Sequence, residues 1–68
     1  MQQYKIDPEK ILDLRLSRKI RSQRQLAQIS GVSNQTISHI ERGIVEPSFS
    51  SACKIMLALE VYDIRELM

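Results

Sequence analysis

The sequence predicts an all-α fold of five short helices, and three features carry that expectation. Asp7, Ser22, Ser33, Ser48 and Asp63 each stand where a side-chain oxygen can take an orphan N–H at the start of a helical pattern. Both glycines, Gly31 and Gly43, lie just past such a pattern, where a chain leaving a helix turns through a left-handed conformation. Between these punctuation marks, apolar residues recur at helical spacing. No strand and no internal repeat is expected.

Residues 1–6 have no strong periodicity and read as a frayed arm. Asp7-Pro8-Glu9 opens the first helix: Asp7 caps, Pro8 occupies the first helical position where its missing N–H costs nothing, and Glu9 complements the dipole. This helix runs to about Lys19, with Leu12 and Leu16 as its apolar stripe, Ile11 and Leu14 flanking it, and Ile20 tucked in at the exit.

Ser22 and Gln25 have capping-box spacing, in which hydroxyl and amide satisfy each other's backbone N–H groups, so the second helix starts at about Gln23. It ends at Ser30-Gly31-Val32. Two helices joined by so short a turn cross steeply and need a small residue where they meet, which Ala27 supplies. Leu26, Val32, Ile37 and Ile40 form the apolar face that both helices share. Ser33 caps the third helix, and Asn34, Gln35, Thr36, Ser38 and His39 are left as an outward run of short hydrogen-bonding side chains.

Gly43 closes the third helix, residues 44–47 form a short loop, and Ser48 caps a fourth helix continuing to about Leu59. Phe49, Ala52, Cys53, Met56 and Leu59 make one stripe of that helix, although Ile55, Leu57 and Ala58 are apolar too. Asp63-x-x-Glu66 is a second capping-box spacing, with Tyr62 and Leu67 at the two positions of a hydrophobic staple, and a last short helix spans residues 64–68.

A chain of 68 residues has room for one small core, for which dimerisation would be a natural support. No run approaches the 18–20 apolar residues of a membrane span, and residues 1–4 lead straight into polar sequence without the pattern of a cleavable leader. A cytoplasmic location is the expectation. The single Cys53 excludes an intrachain disulfide and a cysteine-based zinc site, and the single His39 makes a structural metal unexpected. With two glycines, no phosphate-cradling loop, and no base beside Cys53 in the sequence, neither an enzyme, a cofactor nor a small-molecule substrate is expected.

The charge is unevenly spread. Residues 1–42 carry eight Lys/Arg and four Asp/Glu, net +4, whereas residues 43–68 carry two and four, net −2. Arg15, Arg18, Lys19, Arg21 and Arg24 crowd the ten positions 15–24, which lead into the second helix. Alone, such charges suit a solvated helix surface; beside an outward polar helix they predict a cationic face for a nucleic acid.

The pattern formed by Gln23, Leu26, Ala27, Gly31, Val32, Ser33, Thr36, Ile37, Ile40, Glu41, Arg42 and Gly43 resembles the helix-turn-helix of the Cro and phage-repressor (XRE-like) family. Pro47-Ser48-Phe49 and Leu59-x-Val61 are similar to that family's fourth helix and its end, so the likeness covers nearly the whole chain. The resemblance implies a compact five-helix, lambda-repressor-like DNA-binding domain over residues 1–68, with the helix-turn-helix at 22–43 and a possible dimer or partner surface in 48–68. Three departures stand out. Relatives place an arginine seven residues before Gln23, to pair with the counterpart of Glu41, but that offset falls on Leu16; one extra residue in the first connection would bring Arg15 opposite Glu41 and Ile20 into the apolar place where Arg21 now stands. Leu57 replaces a commonly charged residue. Glu60 replaces a glycine.

An amide near the start of a groove-reading helix can pair bidentately with an adenine edge, which nominates Gln35 first, then Asn34, then His39 one turn further on, with Ser38 beside them. Thr36 suits a phosphate or a thymine methyl, an alternative open to Ser38 as well. Gln23 resembles the family's phosphate-clamping glutamine, and Arg21, Arg24, Arg42 and Ser33 complete the expected backbone contacts, although Ser33 is needed as a cap and His39 would also suit a plain surface position. The leading expectation is a Cro-like or repressor-like regulator binding an operator in double-stranded DNA as a homodimer. The rival is a partner module on the same fold, an antitoxin or a phage switch component that captures another repressor, for which Leu57, Ile29, Ile44 and Val45, apolar where the family is often polar, would be the surface.

Overall fold

The computed structural model describes residues 5–68, so residues 1–4 of the arm expected over residues 1–6 lie outside the described residues. Four α-helices follow one another, α1 (Pro8–Ser17), α2 (Gln23–Ser30), α3 (Asn34–Glu41) and α4 (Phe49–Ala58), and a 3-10 turn, Ile64–Leu67, closes the chain. All five expected cap residues act as caps. Asp7 accepts from the N–H of Glu9 at 3.0 Å, Ser22 from Gln25 at 3.1 Å, Ser33 from Thr36 at 3.1 Å, Ser48 from Ser51 at 3.2 Å and Asp63 from Arg65 at 3.0 Å. Each such bond is worth about 1 kcal/mol, a large share for helices of eight to ten residues.

Two of the finer cap expectations are corrected. The amide oxygen of Gln25 accepts from the N–H of Arg21 at 2.8 Å, one residue before the Ser22 N–H that a reciprocal box would satisfy. At the C-terminal end, the N–H of Glu66 donates to the main-chain oxygen of Asp63, and Tyr62 is 77% exposed, so no staple forms against the fully buried Leu67. The expected fifth helix is thus one 3-10 turn, with the Glu66 N–H bonded to the Asp63 carbonyl and the Met68 N–H to the Arg65 carbonyl, three residues back in each case. Bonds from the Arg65 side chain and backbone hold the Asp63 carboxyl down to about 2.

The core is built from Ile11, Leu26, Ile37, Ile55, Leu59, Val61 and Leu67, none more than 1% exposed, with Ile6, Ile20, Val32, Ile40 and Ala52 around them. Ile6 therefore does not belong to a frayed arm. Its N–H donates to Glu46, and the N–H of Asp7 donates to the Leu67 carbonyl at 2.7 Å, joining the start of the chain to its end. The expected stripe of α1 is also overturned: Leu12 and Leu16 are exposed, and Ile11 and Arg15 are buried in their place. With 100° between successive residues, drawing Arg15 inward turns Leu16 out. In α4 the buried row is Ala52, Ile55 and Leu59, while Phe49 is exposed and Cys53 and Met56 are half-buried.

α1 and α4 end alike. Lys19 (φ 62°) and Glu60 (φ 58°) take left-handed conformations just past each helix, and the next N–H, of Ile20 or Val61, reaches back to the carbonyl of Arg15 or Met56. α1 thereby stops two residues earlier than expected. The glycine that relatives carry at the Glu60 position suits the geometry found there. Glu60→Gly should stabilise the fold by about 0.5–1 kcal/mol, since relief of left-handed strain of roughly 1–2 kcal/mol exceeds the added chain entropy of glycine. A rise in the urea midpoint at unchanged slope would show it; a fall would mean that Glu60 is unstrained.

Candidate nucleic-acid interface

α2 and α3 are set by Gly31, whose φ of 79° turns the chain, with Val32 buried under the corner. A Cβ at Gly31 would meet nothing within 4 Å, so the glycine answers a backbone need and not a shortage of room. α3 is anchored from below by Ile37 and Ile40, 1% and 2% exposed. Its other side carries the residues nominated for base contact: Asn34 and Gln35 are exposed, Ser38 and His39 half-buried. Thr36 is half-buried, and its hydroxyl oxygen accepts from the Ser33 hydroxyl at 2.7 Å, so both side chains serve the start of α3.

The extra residue expected in the first connection is absorbed by left-handed Lys19, and Arg15 meets Glu41 as anticipated. Arg15 Nε lies 3.0 Å from Glu41 Oε2 and its Nη2 donates to Oε1 at 3.2 Å, with both side chains only 7% exposed. Its Nη1 donates to the Ile20 carbonyl at 3.2 Å, so the guanidinium ties α1 to the end of α3 and to the connection into α2. Gln23, nominated for phosphate, joins the same group: its Nε2 donates to Glu41 Oε1 at 3.2 Å.

Of the five basic residues between positions 15 and 24, Arg15 is consumed by this pair and Arg18 donates to the Leu59 carbonyl at 2.9 Å, fastening α1 to the end of α4. Lys19, Arg21 and Arg24 remain exposed, as does Arg42 after α3. The cationic face is thinner than composition alone suggests. The Arg18 contact had no signal in the sequence, because its partner is a main-chain oxygen 41 residues away.

A family model described as helix-turn-helix matches residues 11–67, which is most of the chain. The chain belongs to the XRE-type helix-turn-helix family. No curated protein and no solved structure matches it. XRE-type domains are DNA-binding regulators and not typically enzymes. No helix of the described residues is long and apolar enough to cross a membrane.

Several large apolar side chains lie on the surface. Leu57, Ile29, Ile44 and Val45 are 64%, 58%, 61% and 43% exposed. Leu57 borders a concave apolar surface. One groove of about 280 Å³ is lined by Phe49, Ala52, Cys53, Met56 and Ile64, and a second of about 230 Å³ by Cys53, Met56, Leu57, Val61 and Tyr62. They share Cys53 and Met56, so α4 and the chain end present one continuous apolar face. The surplus of apolar residues on α4 signals such a face, but not which of them lie outside.

Proposed function

We propose that this protein is a sequence-specific transcriptional regulator of the Cro or repressor type, which lays α3 in the major groove of an operator. The observation that carries the reading is the division of α3, with Asn34 and Gln35 exposed while Ile37 and Ile40 are buried. Gln35 and Asn34 read base edges, with Ser38 and His39 one turn further on. Arg21, Arg24 and Arg42, together with Gln23, Ser33 and Thr36, hold the phosphates. A homodimer would place two such helices on half-sites roughly 34 Å apart and block a promoter by occupancy.

Affinity for duplex DNA as a function of salt tests this. Each cation set on a phosphate steepens the fall of log K by about 0.9 per log unit of salt. A flat response would remove the reading. Gln35→Ala should cost about 1–3 kcal/mol on the preferred site and relax base preference, whereas Arg24→Ala should weaken all sequences alike and flatten the salt slope by about one contact. Identical behaviour of the two variants would refute this assignment of roles.

The apolar face of α4 favours an accompanying reading, in which the protein also joins a second copy or another regulator through Leu57 and its neighbours Met56 and Tyr62. Leu57→Asp should leave helix content unchanged and lower the sedimenting mass in the presence of the partner or at high protein concentration; an unaltered mass would exclude this surface.

A further inference from the structure

We infer that Glu41 is a positioning residue for the DNA backbone contact, fixing the Gln23 side-chain amide so that its second N–H, with free N–H groups at the start of α2, forms one preassembled donor set for a phosphate. The inference deepens the DNA-binding reading and rests on it. Glu41 Oε1 accepts from both Arg15 Nη2 and Gln23 Nε2, each at 3.2 Å, and its side chain is 7% exposed. A carboxylate so buried and so doubly bonded has little freedom to move, and it passes that rigidity to a half-buried glutamine at the first position of α2.

Three further facts make the arrangement suited to an anion. A primary amide carries two N–H groups on one nitrogen, and the Glu41 bond uses one of them. Ser22 takes the N–H of Gln25, and the main-chain N–H groups of Gln23 and Arg24 lie in the first turn, where no helical acceptor exists. Finally, Arg15 closes on both oxygens of Glu41, so the carboxylate that holds the amide is charge-compensated and does not repel an approaching phosphate. Without Arg15 the same carboxylate would set a negative charge behind the donor set. The pair therefore has a second task besides orienting helices: it sets the direction of a side chain that would otherwise rotate freely and lose entropy on binding.

The test is duplex affinity for Gln23→Ala in three backgrounds: wild type, Arg15→Met/Glu41→Gln, which keeps an oxygen acceptor, and Arg15→Met/Glu41→Met, which removes it without leaving a lone charge. Gln23→Ala is expected to weaken binding about tenfold in the first two and less than twofold in the third. A tenfold loss in all three, or none in wild type, overturns the inference. Should the double-methionine protein fail to fold, nitrogen relaxation of the wild-type side chain decides: Gln23 Nε2 should show an order parameter near the ~0.85 of rigid backbone and shift on adding duplex, whereas a value below about 0.6 overturns it. Wild-type protein that binds no duplex removes the DNA reading itself, while binding indifferent to Gln23→Ala removes only this inference.

Discussion

Arg15→Met with Glu41 left in place should cost about 3–5 kcal/mol, because it strands a carboxylate whose side chain is only 7% exposed. At roughly 0.05–0.15 kcal/mol per residue, a chain of 68 residues has about 3–10 kcal/mol in total, so the variant should lose about a third of its stability or more. The loss is not the worth of the pair. Removing both charges, as in Arg15→Met/Glu41→Met, should recover most of it, since the desolvation of two ions disappears with their attraction. The recovery will be incomplete, because Arg15 also donates to the Ile20 carbonyl, whose bond is worth about 1 kcal/mol. Thermal and urea unfolding followed by circular dichroism check both variants. A single variant as stable as the wild type would mean that water reaches Glu41.

Ile55→Ala should cost about 2–5 kcal/mol, whereas Leu57→Ala, two residues along the same helix, should cost less than about 0.5 kcal/mol. Ile55 is 1% exposed and Leu57 64% exposed. Truncating Ile55 leaves a cavity among side chains that are tied in place, with Arg18 clamping the end of α4 and Leu67 closing the base, so collapse around the gap is restricted. Truncating Leu57 removes surface that water already touches. Urea midpoints at low protein concentration separate the two. A large loss at Leu57 that grows with protein concentration would show that its burial comes from another chain.

Leu57 and Ile55 also show where reading from sequence alone stops. Both are apolar, both fit a helix, and α4 is apolar on more than one side, so periodicity placed Ala52 and Leu59 inward correctly but set Phe49 beside them and left Ile55 out. The same ambiguity misplaced Leu12 and Leu16. The Arg15–Glu41 pairing was legible because a resemblance supplied the partner and a one-residue insertion supplied the register. Gln23 was legible as a polar residue at a helix start, but its bond to Glu41 was not, since nothing in the local sequence connects positions 18 residues apart.

The chain's own order settled where each helix begins, where the corner at Gly31 falls, and that Asn34 and Gln35 would face outward while Ile37 and Ile40 would not. Those are choices made within a few residues, by caps competing for N–H groups, by the conformations open to glycine, and by polarity repeating along one short helix. Packing settled the rest: which side of α1 and α4 turns inward, that the last turn is 3-10, that Arg18 serves the fold, and which apolar residues form a groove. Each of those depends on partners distant in the chain, and burial is a property of the neighbours as much as of the residue.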